Sequence, residues 1–306
     1  MIASRGVDCK IPILCIIGPT AAGKTARGAA EATARGGEII SVDSRQVYRG
    51  LDIGTEKAAM KERGGIPHHL IDIRNPEEYY SAGEFVADAN QLITDIHARG
   101  KLPILVGGTH FYFDALLNGL PDEVPKNSTL RYELEKLSDE ELMERVRAAD
   151  SRRACELDPK NRRRLIRALE IINVLGRVPP RPTGRAEGAP GGAGLVPEWI
   201  IIDPPKEILR ARIDTRLKET LSNGLIEEVR NVRERVGDIR LNELGLEYRI
   251  IGEYLRKERD EKSLFPALSA KLWQYARHQK AWLRKLAQEY QITKDTSLPR
   301  SAGEAR

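Results

Sequence analysis

The sequence predicts an α/β protein whose parallel sheet is flanked by helices and is interrupted by an all-helical insertion. Three observations predict this fold. A glycine-rich loop joins a short apolar run to an alanine-rich helical pattern near the start of the chain. Apolar runs and helical patterns then alternate as far as Leu117, which is typical of a doubly wound core. From about Leu120 to Gly176 the patterns are helical, with no strand between them.

The glycine-rich loop is Gly18-Pro19-Thr20-Ala21-Ala22-Gly23-Lys24-Thr25, which has the spacing G-x-x-x-x-G-K-T. Residues 11–17 predict a buried parallel strand before it, and residues 25–35 predict a helix after it. In this context, backbone N–H groups and the helix N-terminus hold a phosphate or a diphosphate. Lys24 adds a positive charge, and the Thr25 hydroxyl is a ligand that Mg²⁺ accepts. The motif therefore predicts a phosphate-loop NTPase-like core.

The second predicted strand covers residues 38–42 and ends at Asp43. Ligands of open α/β sheets bind at the carboxyl ends of the strands, so we expect Asp43 to lie near the phosphate loop. The alternative is that Asp43 caps the turn that follows it. The core continues with a strand predicted at 67–73, a helix at 82–98 and a strand at 101–106. Gly107-Gly108-Thr109 and a further helix follow.

We divide the chain into a core, residues 1–119 and 198–293, and a helical insertion, residues 120–176. The insertion has predicted helices at 128–137, 138–149 and 162–175. A segment rich in proline and glycine, 177–197, is predicted to be a flexible linker, and 294–306 a disordered tail. The resumed core has a strand and four helices, predicted at 199–202, 205–221, 225–236, 247–256 and 263–290.

Composition limits the function classes. The three cysteines, Cys9, Cys15 and Cys155, lack metal-ligand spacing, which argues against a disulfide scaffold and favours a reducing compartment. No stretch approaches the length of a membrane span, and residues 1–10 lack the apolar region of a secretory signal. We therefore expect a cytoplasmic protein with no membrane partner.

The net charge of +5 is concentrated in two basic segments. One covers residues 152–167, and the other covers 271–285 with three aromatic residues interleaved. Such segments are ordinarily solvated helix faces. Beside a phosphate loop they also suit a polyanion, and charge alone leaves nucleic acid and solvent about equally favoured.

Further segments resemble one enzyme family along nearly the whole chain. Two are diagnostic: Asp43-Ser44-Arg45-Gln46-Val47-Tyr48, and the helix that carries Gln279 and Trp282. The other matches are the phosphate loop, Leu51-Asp52-Ile53-Gly54-Thr55, Val106-Gly107-Gly108-Thr109, Gly119-Leu120-Pro121, Arg167-Ala168-Leu169-Glu170, Gly224-Leu225-Ile226-Glu227-Glu228-Val229 and Ala276-Arg277-His278-Gln279. Together they resemble the tRNA dimethylallyltransferases, also called tRNA isopentenyltransferases. The lack of a C-terminal zinc-finger extension favours the bacterial type.

The resemblance implies transfer of a dimethylallyl group from dimethylallyl diphosphate to the exocyclic amine of the adenosine immediately 3′ of the anticodon in tRNA. Asp43 matches the family's general base, and Arg216 matches its diphosphate-binding arginine. The alternative for Arg216 is an exposed helix charge, which Arg210 or Arg212 equally suits. Thr20 is expected to hydrogen-bond the bridging oxygen, and Mg²⁺ to bind at Thr25. The family also implies a monomer.

By the same match, three residues after Asp43 lie near the target base: Ser44, Arg45 and Gln46. The insertion is expected to contact RNA through Arg163, Arg164 and Arg167, and the C-terminal part through Arg249, Arg277, Gln279 and Trp282. The chain departs from many members at Glu247, within a Gly-Tyr-Lys/Arg segment, and at Ala281, where many have threonine. These departures concern the RNA contacts and leave the diphosphate chemistry unchanged.

Three other classes stay open on the sequence alone. An adenylate isopentenyltransferase would act on a free nucleotide, although the basic insertion and the long C-terminal helices argue against it. A small-molecule kinase or NTPase would use the same loop, with Asp43 as a metal ligand at a strand end. A noncatalytic RNA-binding module is disfavoured by the presence of Lys24 and Asp43.

Overall fold

The computed structural model describes residues 10–120, 124–125, 127–180, 194–290 and 292. Its strands are β1 (Ile11–Ile17), β2 (Gly37–Val42), β3 (His68–His69), β4 (Leu102–Gly107) and β5 (Leu195–Ile201). Over the described part of the chain they form one five-stranded sheet in the order β3-β2-β4-β1-β5, in which each pair is parallel. Non-consecutive neighbours in a parallel sheet require crossover connections, which here contain helices.

Four of the strands end at the same edge of the sheet. Gly107 at the end of β4 lies opposite both Ile17 of β1 and Val42 of β2. Ile17 also lies opposite Ile201 at the end of β5. The phosphate loop, Asp43 and the turn after Gly107 therefore begin side by side, as the parallel arrangement predicts.

Helices cover both faces of the sheet because successive strand side chains point in opposite directions. Leu14 packs in a cluster with α1 (Lys24–Arg35), whereas Cys15 packs in a cluster with α2 (Ala82–Ala98) and α3 (His110–Asn118). Both side chains are completely buried. The doubly wound α/β core is thus confirmed.

Four helices after β5 complete the unit that contains the sheet, and their buried apolar residues join the cluster around α2. They are α8 (Lys206–Ser222), α9 (Leu225–Leu244), α10 (Leu246–Leu255) and α11 (Leu264–Glu289). A short 3₁₀ turn at Glu261–Ser263 precedes α11, which packs on α8 and α10.

A second compact unit, Asn118–Ala193, contains α4 (Ser128–Leu134), α5 (Asp139–Ala149), α6 (Ser151–Glu156) and α7 (Arg162–Leu175). Its own apolar core includes the completely buried Leu142 and Leu165. A capping box between Ser138 and Glu141 begins α5, because each side chain accepts a bond from the other residue's backbone N–H. The described part of this unit contains one helix that the sequence patterns did not predict, the six-residue α6.

The predicted strand at 67–73 is wrong beyond its first residues. Only His68–His69 pair with β2. Leu70 and Asp72 have positive φ angles of 61° and 57°, and this left-handed backbone ends the pairing.

Two boundaries also differ from the prediction. Helix α9 continues beyond residue 236 to Leu244, with a kink at Gly237, whose φ is 71°. Strand β5 begins at Leu195, inside the segment predicted to be a linker. Residues 181–193 of that segment and the predicted tail at 294–306 lie outside the described residues. No helix in the described ranges is long and apolar enough to span a membrane.

Candidate active site

The phosphate loop leaves the end of β1 and leads into α1. A Cβ atom at Gly18 would lie 2.6 Å from the backbone oxygen of Ile202, so only glycine fits beside the neighbouring strand. Gly23 is the N-cap of α1, and no side chain caps this helix end. Its first N–H groups are therefore available to an anion, as the motif predicts.

Lys24 folds back over the loop, where its Nζ donates a hydrogen bond of 2.7 Å to the Pro19 carbonyl. Burial and, to a smaller extent, the positive charge of Arg216 together lower the pKa of Lys24 to about 8, against the opposing charge of Asp43. An anion bound beside Lys24 would stabilise its charged ammonium form, so this environment favours an anionic ligand. The structure thus places Lys24 and Arg216 in one electrostatic environment.

Gln279 of α11 forms hydrogen bonds that support the phosphate loop. Its Oε1 accepts a 2.9 Å bond from the Thr20 N–H, and its Nε2 donates a 3.1 Å bond to the Gly108 carbonyl. The residue is 3% exposed. Gln279 therefore connects the phosphate loop with the turn after β4, and its predicted contact with RNA stays a prediction.

Asp43 lies directly after β2, where the sequence predicts it. Its Oδ1 accepts backbone bonds of 2.8 Å from Arg45 and 3.2 Å from Gln46. This confirms the capping geometry that we considered as the alternative, but it uses only one carboxylate oxygen. The negative charge of Asp43 acts on Lys24, so the carboxylate also lies within electrostatic reach of the phosphate loop.

The three residues after Asp43 have different environments. The Ser44 N–H donates a 3.2 Å bond to the Thr109 hydroxyl, which joins the ends of β2 and β4. Gln46 accepts a 3.0 Å bond from Ser41 and donates a 3.1 Å bond to the Thr55 carbonyl, so its side chain supports the neighbouring loop. Arg45 is partly buried.

Tyr275 of α11 belongs to the same region, although the prediction did not include it. Desolvation, together with the smaller effects of the charges of Asp43 and Glu247, raises the pKa of Tyr275 to about 12. The residue as a whole is 45% exposed. Its phenol is therefore a protonated hydrogen-bond donor near Asp43 and is also accessible to a ligand.

Arg216 lies on α8 and forms an ion pair with Glu56. Burial lowers the pKa of Arg216 to about 10, although the charges of Glu247 and Glu219 oppose this. One helical turn earlier, the Arg212 Nη1 lies 3.5 Å from the Ala22 carbonyl of the phosphate loop. Two arginines of α8 thus approach the loop from one face of the helix, because residues four apart share a face.

A pocket opens beside the phosphate loop. Its polar lining consists of Thr20, Glu56, Thr220 and Glu247, together with the backbone of Gly54. Its apolar lining is Ala21, Ile53, Ile213, Leu217, Leu225 and Leu272. Burial raises the pKa of Glu247 to about 7, against the opposing effects of its own backbone N–H and of Arg45. The pocket therefore joins the phosphate loop to a mostly apolar cavity.

Trp282, predicted to contact RNA, stacks on His110 with ring centroids 4.2 Å apart and planes 6° apart. Burial and the smaller effect of the Lys24 charge together lower the pKa of His110 to about 4, so the imidazole is neutral. Arg249 and Arg277, also predicted to contact RNA, are exposed.

The arginines of the helical unit are placed differently. Arg163 and Arg164 are exposed at the start of α7. Arg167 donates bonds of 3.3 Å to the buried Glu170 and 2.7 Å to the Val124 carbonyl. Arg167 therefore has a structural role in this unit, whatever it contributes to RNA binding.

The residues present fit a magnesium ion only if a ligand completes its coordination. Thr25 lies in the first turn of α1 with an exposed side chain. Within the described ranges, no group of three or more His, Cys, Asp or Glu side chains is placed to hold a metal. Mg²⁺ bound to a diphosphate needs only one or two protein oxygens, since substrate and water supply the others. The Thr25 hydroxyl suits that role.

Several residues of this site were not assigned to it by their sequence patterns. Arg212 was signalled by its four-residue spacing from Arg216, and Glu56 directly follows the matched segment 51–55. Glu247 was noted only as a departure in the RNA-contacting segment. Tyr275 and His110 had no signal of their own, because only their neighbours in the folded chain connect them with the site.

The fold and this site define a class, the phosphate-loop α/β enzymes whose anion site opens on an apolar pocket. Comparison with known proteins then identifies the family. The model of the IPP transferase family matches residues 46–286, and the chain belongs to this family.

Relatives and solved structures agree with this assignment. The chain is 41% identical to a tRNA dimethylallyltransferase of Halorhodospira halophila, over 94% of both chains. It is 40% identical to that of Thermomicrobium roseum, over 90% of this chain and 84% of the relative. A tRNA isopentenylpyrophosphate transferase of Bacillus halodurans superposes with a TM-score of 0.68, at 34% identity over 94% of this chain and 90% of that one. A eukaryotic dimethylallyltransferase acting on tRNA gives a TM-score of 0.80, at 25% identity over 96% and 76%.

Proposed function

We propose that this chain transfers the dimethylallyl group of dimethylallyl diphosphate to the exocyclic amine of the adenosine immediately 3′ of the anticodon in tRNA, and releases diphosphate. The observation that carries the proposal is that Thr20 and Ala21 of the phosphate loop also line the apolar pocket. A five-carbon chain attached to a diphosphate suits both parts. The names of the relatives support tRNA as the acceptor.

On the donor side, the bond between the allylic carbon and the diphosphate oxygen breaks. Negative charge then grows on the leaving diphosphate, where the loop N–H groups, Lys24 and Arg216 stabilise it. The Thr20 hydroxyl is placed in the same loop and is proposed to bond the bridging oxygen. Mg²⁺, bound through the Thr25 hydroxyl and diphosphate oxygens, would supply further positive charge to the leaving group.

On the acceptor side, the exocyclic nitrogen forms a bond to the allylic carbon and must lose a proton. Asp43 is the proposed acceptor of that proton, through the carboxylate oxygen that does not bond Arg45 and Gln46. The two backbone bonds fix the carboxylate in place, and general base catalysis of this kind contributes roughly 10²- to 10⁴-fold. The target base must leave the RNA stack to reach this residue.

The proposed RNA contacts come from both compact units. Ser44, Arg45 and Gln46 would surround the target base, whereas exposed Arg249 and Arg277 would contact the backbone. In the helical unit, the exposed Arg163 and Arg164 suit RNA phosphates. We further propose that the enzyme acts as a monomer in the cytoplasm, where its tRNA substrate is found.

The proposal is tested by incubating the protein with tRNA, dimethylallyl diphosphate and Mg²⁺, followed by mass spectrometry of the nucleosides. The Asp43→Ala variant is expected to lower single-turnover transfer by about 10²- to 10⁴-fold. Its donor affinity, measured by calorimetry, should stay near that of the original chain because Asp43 faces the amine.

The control is Asp95→Ala, which removes an exposed carboxylate on α2. Near-normal transfer by Asp43→Ala would contradict the base assignment. Saturable binding of ATP without any prenyl transfer would instead favour a kinase or NTPase.

A further inference from the structure

The segment 224–229 is one of those that resemble the family's sequences, but it has no part in the chemistry described so far. It begins α9 with Gly224 as the N-cap and two carboxylates in the first turn. Glu227 points to solvent and pairs with the exposed Arg230. Its neighbour Glu228 has a different environment, because its carboxylate contacts a loop about 175 residues earlier in the chain.

Four hydrogen bonds converge on the Glu228 carboxylate. Its Oε2 accepts bonds of 2.8 Å from the Asp52 N–H and 2.6 Å from the Ile53 N–H. Its Oε1 accepts bonds of 2.9 Å from the Gly54 N–H and 2.7 Å from the Tyr248 hydroxyl. Three consecutive backbone donors thus share one charged acceptor, and hydrogen bonds to an ionised group are stronger than neutral ones.

The bonded loop and Tyr248 are in close contact. A Cβ atom at Gly54 would lie 2.8 Å from the Tyr248 hydroxyl and 2.9 Å from the adjoining ring carbon. Tyr248 is 1% exposed. The loop therefore has one close-packed position against α10, and Glu228 holds both partners there.

Both partners also border the pocket beside the phosphate loop. Ile53, Gly54 and Glu56 line it from the loop, and Glu247, next to Tyr248, lines it from α10. Glu228 itself is not part of the lining. Any effect of Glu228 on a ligand in this pocket must therefore be indirect, through the loop, through α10 or through Leu225, which lines the pocket from the start of α9.

We propose that Glu228 is a positioning residue for the donor: it fixes the pocket wall formed by residues 52–54 and the start of α10, and so limits the width of the pocket that the five-carbon chain of the donor would enter. This inference rests on the proposed function. Without the carboxylate, the three N–H groups lose their common acceptor, and the loop is free to move away from Tyr248. The donor then binds a wider pocket, whereas the RNA-binding surface is unchanged.

The test compares steady-state kinetics of Glu228→Ala, the isosteric Glu228→Gln and Tyr248→Phe. We expect Glu228→Ala to raise the donor KM at least about tenfold, since it removes several charge-assisted bonds. Glu228→Gln keeps one acceptor oxygen and should fall between Glu228→Ala and the original chain. Tyr248→Phe loses one of the four bonds and should change the donor KM least. The kcat at saturating donor and the KM for tRNA should stay within about twofold for all three, because the chemistry and the RNA contacts are not altered.

Chain-length preference gives a second measurement. The ratio of kcat/KM for geranyl diphosphate to that for dimethylallyl diphosphate should rise at least about threefold in Glu228→Ala, because a loosened wall admits a longer chain. The matched control is Glu227→Gln, which removes the same charge one residue away and should leave both measurements unchanged.

The inference is overturned if Glu228→Ala and Glu228→Gln keep the original donor KM and chain-length ratio. It is also overturned if they lose only kcat in proportion to the fraction of folded protein, which a melting curve measures. If Glu228→Ala does not fold, Glu228→Gln and Tyr248→Phe decide the question. A failure of the proposed function is distinguishable, since the original chain would then show no prenyl transfer.

Discussion

Two basic side chains beside the phosphate loop differ in environment from two arginines of the helical unit. In the unit that contains the sheet, burial lowers the pKa of Lys24 to about 8 and that of Arg216 to about 10. In the helical unit, Arg162 bonds Glu135 and Asp139, and Arg167 bonds the buried Glu170. Partly buried cations that repel each other favour an incoming anion, whereas ion pairs with carboxylates stabilise the fold itself.

The difference shows that a run of basic residues does not by itself identify cations that a ligand can use. The segment 152–167 is rich in arginine, yet Arg152 and Arg153 both pair with Glu156. Lys24 and Arg216 are far apart in sequence, and the fold brings them together. Even Arg216 has a partner in Glu56, so a diphosphate must compete with or share that contact.

Within this comparison, the largest expected effect is that of removing Lys24 or Arg216. Lys24→Ala and Arg216→Ala should each weaken donor binding and transfer by one to two orders of magnitude, because each removes charge-assisted bonds of about 1.5 to 3 kcal/mol. Calorimetry with dimethylallyl diphosphate and single-turnover rates measure both. Lys61→Ala, an exposed lysine of the same unit, is the control and should behave as the original chain. Unaltered donor affinity in both variants would remove them from the donor site.

The next effect tests the neutralised cations. Glu170→Ala leaves the Arg131 and Arg167 side chains and the Asn127 N–H without their shared acceptor. The free energy of unfolding should fall by about 1 to 3 kcal/mol. Thermal denaturation measures this, and donor affinity should not change. Glu133→Ala, which breaks the exposed pair with Lys136, should cost less than about 1 kcal/mol. Equal losses in the two variants would contradict the structural role of Glu170.

A combined variant of Arg163, Arg164 and Arg167 to alanine is expected to raise the KM for tRNA and leave donor binding unchanged. Each lost phosphate contact should reduce the slope of log K against log salt by roughly one unit, and slightly less on single strands. Because Arg167 also bonds Glu170, the double variant Arg163→Ala with Arg164→Ala separates RNA binding from stability. A lower melting temperature with unchanged tRNA affinity would assign these arginines to the fold alone.

The smallest expected effect is a pH dependence of donor binding. The pKa of Lys24 in the free protein is lowered to about 8, so the charged form that attracts diphosphate predominates below this pH and is lost above it. Donor affinity should therefore fall by about fourfold between pH 7 and pH 8.5, if only the charged form binds. Lys24→Arg keeps its charge and should show a flatter profile over that interval. Identical profiles would show that Lys24 does not titrate there.

Much of the core could be predicted because its signals are local. Apolar runs of strand length, the capped helix beginning at Ala82 and the glycine loop are each specified by neighbouring residues. The prediction of the third strand was wrong because it also used only local signals. Residues 67–73 have a strand-like composition, but Leu70 and Asp72 adopt a left-handed backbone conformation to make the turn. The short α6 has too few residues to show a helical period.

The sequence by itself determined the position of the phosphate-loop motif and of the carboxylate at the neighbouring strand end, because both depend on spacing along the chain. Only the tertiary structure decided how the site is supported. Gln279 bonds Thr20 across 259 residues, and Glu228 bonds Gly54 across 174. These contacts arise when α9 and α11 pack on the sheet. A polar side chain acquires its partner from that packing, and no local pattern specifies a partner so distant in sequence.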